Sequence, residues 1–450
     1  MHARFSAVTK AYDVRGTTPD QLDASLALAF GRAYAREVGV AGGGGAVVVG
    51  HDMRDTSPEL AGAIADGVRA EGGDVVMVGF ASTDMLYAAS GRLDLPGVMV
   101  TASHNPAGYN GFKVCRAGAR PIGFDTGLSA IAEVASELLD EPAPEPRGTL
   151  TERDFLSEYA DLVVGLAPVS GRRLTVAVDA GNGMAGHTAR AVLDQLDVDV
   201  LPLYFELDGT FPNHEANPLD ASTLVDLQAA VREHGADLGL AFDGDADRCF
   251  VVDERGEPVS PSAITALIGA RYLAAQPGAT ILHNAICSKA VPEIVAERGG
   301  TAVRTPVGHS LIKAEMARTG AVFGGEHSGH FYFRDFYLAD SGMLAALHVM
   351  GALAESDRPV SALMAEFERY AASGEVNSTV ADASAVIEEL AQAYADHPQD
   401  RLDGLTVTGP DWWFNVRASN TEPLLRLNVE GDDEQVMARV RDEALAVIGK

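Results

Sequence analysis

Cysteine is scarce in this chain: Cys115, Cys249 and Cys287 are its three, widely spaced and without a CxxC pair. An odd, scattered set excludes a disulfide framework and a CxxC-type zinc site, and fits a reducing compartment. Long apolar runs are also missing. No stretch of about 18 apolar residues is available to span a bilayer. Met1–Gly16 holds no apolar run leading to a cleavage site, so no signal peptide is expected and the protein is read as cytoplasmic. Positive charge is the third shortage. Lys and Arg number 34 against 64 Asp and Glu, a formal net charge of −30, with a pI near 4.6. That balance argues against nucleic acid, whose binding needs cations to displace counterions, and against anionic membrane surfaces. An anionic ligand would have to be held by a few well-placed cations against a repulsive overall field.

Apolar residues, by contrast, make up 47% of the chain, enough for several buried cores. At roughly 150 residues per domain, the length alone suggests about three domains. A strand–loop–helix–strand unit recurs three times. It runs over Ala46–Val49, a helix at Pro58–Ala70 and Asp74–Val78; over Leu174–Val178, Met184–Leu196 and Val198–Leu203; and over Thr280–His283, Ala290–Arg298 and Thr301–Thr305. Each is a βαβ crossover pattern, which implies parallel strands with helices on the sheet faces. The Pro/Glu-rich segment Asp140–Gly148 reads as a linker. Beyond the polar stretch Ala371–Asp382, a helix at Ala383–Tyr394, strands at Thr406–Thr408, Trp412–Arg417 and Leu424–Glu430, and a helix at Glu434–Ile448 predict a small α+β domain with antiparallel strands. The expected fold is therefore three similar mixed α/β domains plus a C-terminal α+β domain, with boundaries 1–147, 148–253, 254–369 and 370–450.

Four loops carry chemistry. VTASHNPAGYNGFK places Ser103 at a turn, with His104 and Asn105 beside it and Lys113 further on. Such a serine serves either as an ordinary turn residue or, given an acid–base partner, as a nucleophile or phosphate carrier. LGLAFDGDADR ends an apolar strand in Asp243, Asp245 and Asp247. In an extended segment that spacing puts three carboxylates on one side, where they repel unless a hard divalent cation such as Mg²⁺ neutralises them. An EF-hand loop is excluded, because Arg248 stands where that motif needs glycine. GGEHSGH alternates glycine with polar groups, which suits close approach of a polar ligand. RASNTEP joins Arg417 to hydroxyl and amide groups between two strands, a plausible phosphate cradle. Arg15, in YDVRG, and His309, at the start of a predicted helix, add two further polar sites. There is no Walker A loop, no GxGxxG after a strand and no GxSxG elbow; Gly42–Gly45 reads as a turn.

TASHNP, DGDADR, GEHSGH and RASNTEP, in this order, resemble the α-D-phosphohexomutases, specifically the bacterial phosphomannomutase/phosphoglucomutase group. The resemblance covers essentially the whole chain. It implies four domains around a central cleft, carrying in turn a phosphoserine loop, a metal loop, a sugar loop and a phosphate clamp. It implies a mutase that moves phosphate between O6 and O1 of mannose or glucose through a hexose 1,6-bisphosphate. By this similarity Ser103 is the phosphoserine. One Mg²⁺ would be held by Asp243, Asp245, Asp247 and an oxygen on Ser103. Arg15, Lys113 and Arg248 would surround the transferring phosphate with His104 nearby, and Lys113 and His330 are the two candidates for the general base. Glu326 and Ser328 would bind sugar hydroxyls, and His309 and Tyr12 would face the substrate. Arg417, Ser419, Asn420 and Thr421 would clamp the other phosphate. The implied partner is a small sugar phosphate, on a monomer or homodimer. Two departures stand out: HNAICSK at His283–Lys289 lacks the DVK-type segment of many relatives, and His327 replaces their methionine. Phosphoglucomutase, phosphoglucosamine mutase and a non-catalytic sugar-phosphate binder are the alternatives.

Overall fold

The computed structural model describes residues 1–418 and 424–449, with the side chains of His309 and Ser310 outside that description. The chain forms two compact units: Met1–Val259 with Ser328–Leu363, and Ser260–His327 with Met364–Lys450.

The first unit holds two sheets. In the larger, strands run in the order Val14–Thr17, Tyr109–Arg116, Gly97–Val100, Ala46–His51, Asp74–Phe80 and Leu150–Glu152. Ala46–His51 pairs parallel with both Asp74–Phe80 and Gly97–Val100, whereas Tyr109–Arg116 runs antiparallel to its neighbours. The second sheet orders Pro258–Val259, Cys249–Val252, Leu238–Phe242, Leu174–Asp179 and Val198–Leu203. Its parallel pairs, Leu174–Asp179 with Leu238–Phe242 and with Val198–Leu203, are the second predicted crossover. Strands Gly97–Val100 and Leu238–Phe242 are buried at every position. Sheets covered on both faces demand that continuous apolar pattern, and both strands aim their C-terminal ends at a functional loop.

In the second unit Thr280–Asn284 pairs parallel with Thr301–Thr305 and Phe323–Gly325, completing the third crossover. The C-terminal sheet runs Ala371–Thr379, Leu424–Gly431, Trp412–Ala418, Leu405–Thr408 and Gln399–Asp400, all antiparallel. Helices Ala383–Ala393 and Glu434–Ile448 cover one face over a core of Leu390, Leu405, Phe414, Val416, Leu427 and Val440.

Two elements differ from the sequence reading. Ala371–Thr379, read as a polar stretch, is an edge strand with no fully buried residue, so it carries little apolar signal. Helix Gly342–Ala354 is buried at nearly every position and so lacks the one-sided pattern that betrays a surface helix. Among the described residues no helix is long and apolar enough to cross a membrane.

Candidate active site

The loop between Gly97–Val100 and Tyr109–Arg116 carries Ser103. The serine is buried and takes φ of 51°, a left-handed conformation that costs a non-glycine residue about 1–2 kcal/mol. Its amide donates to Thr101 Oγ1 at 2.9 Å. Its hydroxyl donates to Asp243 Oδ2 at 2.8 Å, with His104 Nδ1 at 3.3 Å on another side. The loop shape thus turns the Ser103 hydroxyl toward the acidic loop.

The three acids are not on an extended strand, as the spacing suggested. After Leu238–Phe242 the chain turns: the Ala246 amide donates to the Asp243 carbonyl at 3.0 Å, with Ala246 at φ 58°. The turn wins because the acidic loop must close against the serine loop. A Cβ on Gly244 would lie 2.4 Å from the Ser103 carbonyl oxygen, so only glycine permits the approach. The carboxylates converge even so, with one oxygen from each of Asp243, Asp245 and Asp247 within 4.8 Å of the others.

Cations surround them. Lys113 Nζ donates to Asp245 Oδ2 at 2.6 Å and to Asp247 Oδ2 at 2.5 Å. Desolvation pulls its pKa down, but these two carboxylates outweigh it and hold Lys113 well above its ordinary range. Arg248, also buried, donates through Nη2 to Asp243 Oδ2 at 2.7 Å and contacts His104 Nδ1. The guanidinium, and then desolvation, push His104 well below its usual pKa, so it stands neutral beside Ser103. Burial raises Asp243 to about 7 against the pull of Arg248. Asp247 goes the other way: burial would raise it, but Lys113 and His330 bring it well below the carboxylate range. His330 Nε2 faces Asp247 Oδ1 at 3.5 Å, and His330 Nδ1 lies 2.9 Å from Ser328 Oγ.

The acids fit a hard divalent cation. Asp245 Oδ1 is buried yet lacks a hydrogen-bond partner among the described residues, and Asp247 Oδ1, without a close hydrogen bond there, meets His330 Nε2 at 3.5 Å. Leaving anionic oxygens so is costly, and an all-oxygen set of this span suits a cation of the magnesium or calcium type.

Arg15 also belongs to this unit. Its Nη1 donates to Asn105 Oδ1 on the serine loop at 2.5 Å, and its Nη2 pairs with Asp13 at 2.5 Å. Tyr12 is half-buried just ahead of that strand. The second unit holds the remaining predicted residues. Buried Glu326 accepts from the Gly308 amide at 3.2 Å and from Asn284 Nδ2 at 3.3 Å, through the same Oε1. Arg417, at the end of its strand, donates to Glu375 at 3.1 Å, and Arg426 donates to the other oxygen of that carboxylate. The side chain of His309, and Ser419, Asn420 and Thr421 entirely, lie outside the described residues. Lys289 is engaged elsewhere: its ammonium pairs with Asp432 at 2.9 Å and sits 3.8 Å from the Tyr370 ring centroid. It ties its helix to the C-terminal sheet.

The sequence matches the phosphoglucomutase/phosphomannomutase family in all four of its parts: alpha/beta/alpha domain I over residues 6–139, domain II over 154–256, domain III over 260–370 and the C-terminal domain over 375–447. A phosphomannomutase of Escherichia coli is 39% identical over 452 residues, 98% of each chain. A protein of Xanthomonas campestris pv. campestris named phosphohexose mutases is 39% identical over 97% of this chain and 98% of its own. A crystal structure of a phosphoglucomutase/phosphomannomutase family protein from Burkholderia thailandensis superposes with a TM-score of 0.90 at 34% identity, covering 99% of this chain and 97% of that one. The chain belongs to the phosphoglucomutase/phosphomannomutase family.

In this phosphohexomutase two residues that the sequence did not single out support the site. Arg54 lies under the Ser103 loop and donates to its carbonyls. Thr83, at the start of helix Thr83–Leu93, holds Asp245 twice. Its amide donates to the Asp245 carbonyl at 2.9 Å, and its hydroxyl donates to Asp245 Oδ2 at 2.5 Å. The only sequence signal was Ser82, a helix N-cap that marks where Thr83 begins its helix. Thr83→Val keeps the shape and removes the hydroxyl. Divalent-metal affinity is expected to fall on the order of 10-fold, as for other partners that orient a ligand. Calorimetric titration of the purified variant checks this, and unchanged affinity would refute the role.

Proposed function

We propose that this phosphohexomutase is a phosphomannomutase that also accepts glucose phosphates, with Ser103 as its phosphoryl carrier and a hexose 1,6-bisphosphate as intermediate. The observation that carries the reading is the Ser103 hydroxyl, turned by its left-handed loop into the carboxylate cluster beside Arg248 and the neutral His104, with Lys113 bound to two carboxylates of that cluster. Phosphoserine 103 gives its phosphoryl group to the free hydroxyl of a hexose phosphate. The P–Oγ bond breaks, a P–O bond to the sugar forms, and the hydroxyl proton passes to His330, the candidate base left once Asp245 and Asp247 hold Lys113 as an ammonium. The bisphosphate then presents its other phosphate, which returns to Ser103 Oγ. Phosphoryl transfer calls chiefly for in-line positioning and neutralised charge.

Lys113, Arg248 and Arg15 meet the second demand with this chain's own cations. Asp243, Asp245 and Asp247, with an oxygen on phosphorylated Ser103, would hold one Mg²⁺, which when bound supplies further charge neutralisation. Glu326 and Ser328 are assigned to sugar hydroxyls, and His309 and Tyr12 to the substrate's other faces. Arg417 with Ser419, Asn420 and Thr421 is assigned to the phosphate that is not reacting. Domain joints after residues 147, 253 and 369 belong to the same reading.

The test is kcat/KM on mannose 1-phosphate, glucose 1-phosphate and glucosamine 1-phosphate in a coupled assay. Mannose and glucose phosphates are expected to turn over and glucosamine 1-phosphate to lag. Preference for glucosamine 1-phosphate would overturn the substrate assignment, and release of inorganic phosphate in place of isomerisation would make the protein a phosphatase.

A further inference from the structure

Arg54 is 1% exposed, an unusual place for a guanidinium, whose burial needs full compensation. The compensation is complete. Nη2 donates to the Ser103 carbonyl at 2.9 Å and the Asn105 carbonyl at 2.6 Å. Nη1 donates to the Pro106 carbonyl at 2.8 Å and the Tyr109 carbonyl at 3.0 Å. Nε donates to Asp52 Oδ2 at 3.2 Å. Those bonds use every N–H that a guanidinium offers. Asp52 is braced in turn: its Oδ1 accepts from the Arg54 amide at 3.0 Å and from Ser57 Oγ at 2.5 Å, and Ser57 Oγ accepts from Asn110 Nδ2 at 2.9 Å. The Phe211 ring lies 5.0 Å from the guanidinium carbon. Gly209 comes so close that a Cβ there would be 2.6 Å from Arg54 Cα.

We propose that Arg54 is a positioning residue for the phosphoryl carrier: by binding four converging carbonyls on the inner side of the Ser103 loop, it fixes the left-handed turn that presents the Ser103 hydroxyl. The inference rests on Ser103 being the carrier. With no N–H left over, Arg54 has nothing to offer a substrate phosphate, which separates it from Arg15 and Arg248. Four carbonyl dipoles pointing into one space repel one another, and only a cation with a planar fork of donors satisfies them together. A lysine has three donors on a single atom and lacks that fork. In Arg54→Lys the inner carbonyls therefore lose partners, and the serine relaxes out of its left-handed turn.

The experiment compares Arg54→Lys with the wild type by steady-state kinetics and by the single-turnover rate at which hexose 1,6-bisphosphate phosphorylates the protein, read by intact mass. Misplacement of a reacting group by about 1 Å costs on the order of 100-fold. kcat and the phosphorylation rate are thus expected to fall together by that order, with KM held within about twofold, since no substrate contact is lost. A rise in KM at unchanged kcat would make Arg54 a substrate ligand and overturn the proposal. A lowered Tm with normal kcat per folded molecule would overturn it too. Should Arg54→Lys not fold, Asp52→Asn carries the test: it leaves the four carbonyl bonds and weakens their anchor, for an expected loss of about fivefold in the same two rates. A wild type that takes up no phosphoryl group refutes the carrier reading instead, whatever the variants do.

Discussion

Ser103→Ala should abolish mutase turnover, by roughly 10⁴-fold or more, the scale on which loss of a covalent nucleophile is felt. The substitution removes one oxygen and little else. Asp243 keeps its bonds from the Arg248 amide and guanidinium, so the acidic loop has no reason to open. The Ser103 amide still donates to Thr101 Oγ1, and Arg54 still holds the loop carbonyls. Stability should change by about 1 kcal/mol, the worth of one hydroxyl hydrogen bond. Sugar-phosphate binding should survive, because the residues assigned to the sugar and the distal phosphate are untouched. A coupled assay beside a thermal melt separates the two effects. Residual turnover near the wild-type level would remove Ser103 from the mechanism.

Asp245→Ala should produce the second-largest loss, about 10²–10³-fold, the scale of removing one electrostatic support of a transition state. Asp245 has two jobs in the structure. Its Oδ2 accepts from Lys113 and Thr83, while its buried Oδ1 has no hydrogen-bond partner among the described residues. The first job has a substitute, since Lys113 keeps Asp247 at 2.5 Å. The second has none, and removing it deprives a cation of a ligand. Asp245→Asn keeps one oxygen and the shape, so it should weaken activity less than alanine does. The wild type treated with a chelator should fall to a similar level and recover when Mg²⁺ is restored, while Asp245→Ala should not recover at ordinary Mg²⁺ concentrations. A wild type indifferent to the chelator would contradict the metal assignment.

The sequence made the repeating architecture legible because burial on both sheet faces forces an apolar signal. Strands Ala46–His51, Leu174–Asp179 and Thr280–Asn284, each paired parallel with the strand beyond its helix, are the three runs that stood out. Where burial was uniform or nearly absent, the pattern failed: Gly342–Ala354 shows no polar face, and Ala371–Thr379 no apolar one. The carboxylates of the metal loop were legible as a group, but their shape was misread, because a two-residue spacing fits a strand as well as this turn. What closes the turn is the approach of Gly244 to Ser103, more than a hundred residues away in sequence. Arg54 and Thr83 were missed for the same reason. Arg54 binds carbonyls of residues 103–109, and Thr83 binds Asp245 from 162 residues away. Neither side chain is unusual in its own segment, and long-range partners leave no local mark.

The most direct test of the account is the intact mass of the protein before and after incubation with a hexose 1,6-bisphosphate, followed by peptide mapping. The wild type should gain one phosphoryl group, located on Ser103 and lost again when a hexose 6-phosphate is added, and Ser103→Ala should gain none. A phosphoryl group on another residue, or equal labelling of Ser103→Ala, would contradict Ser103 as the carrier.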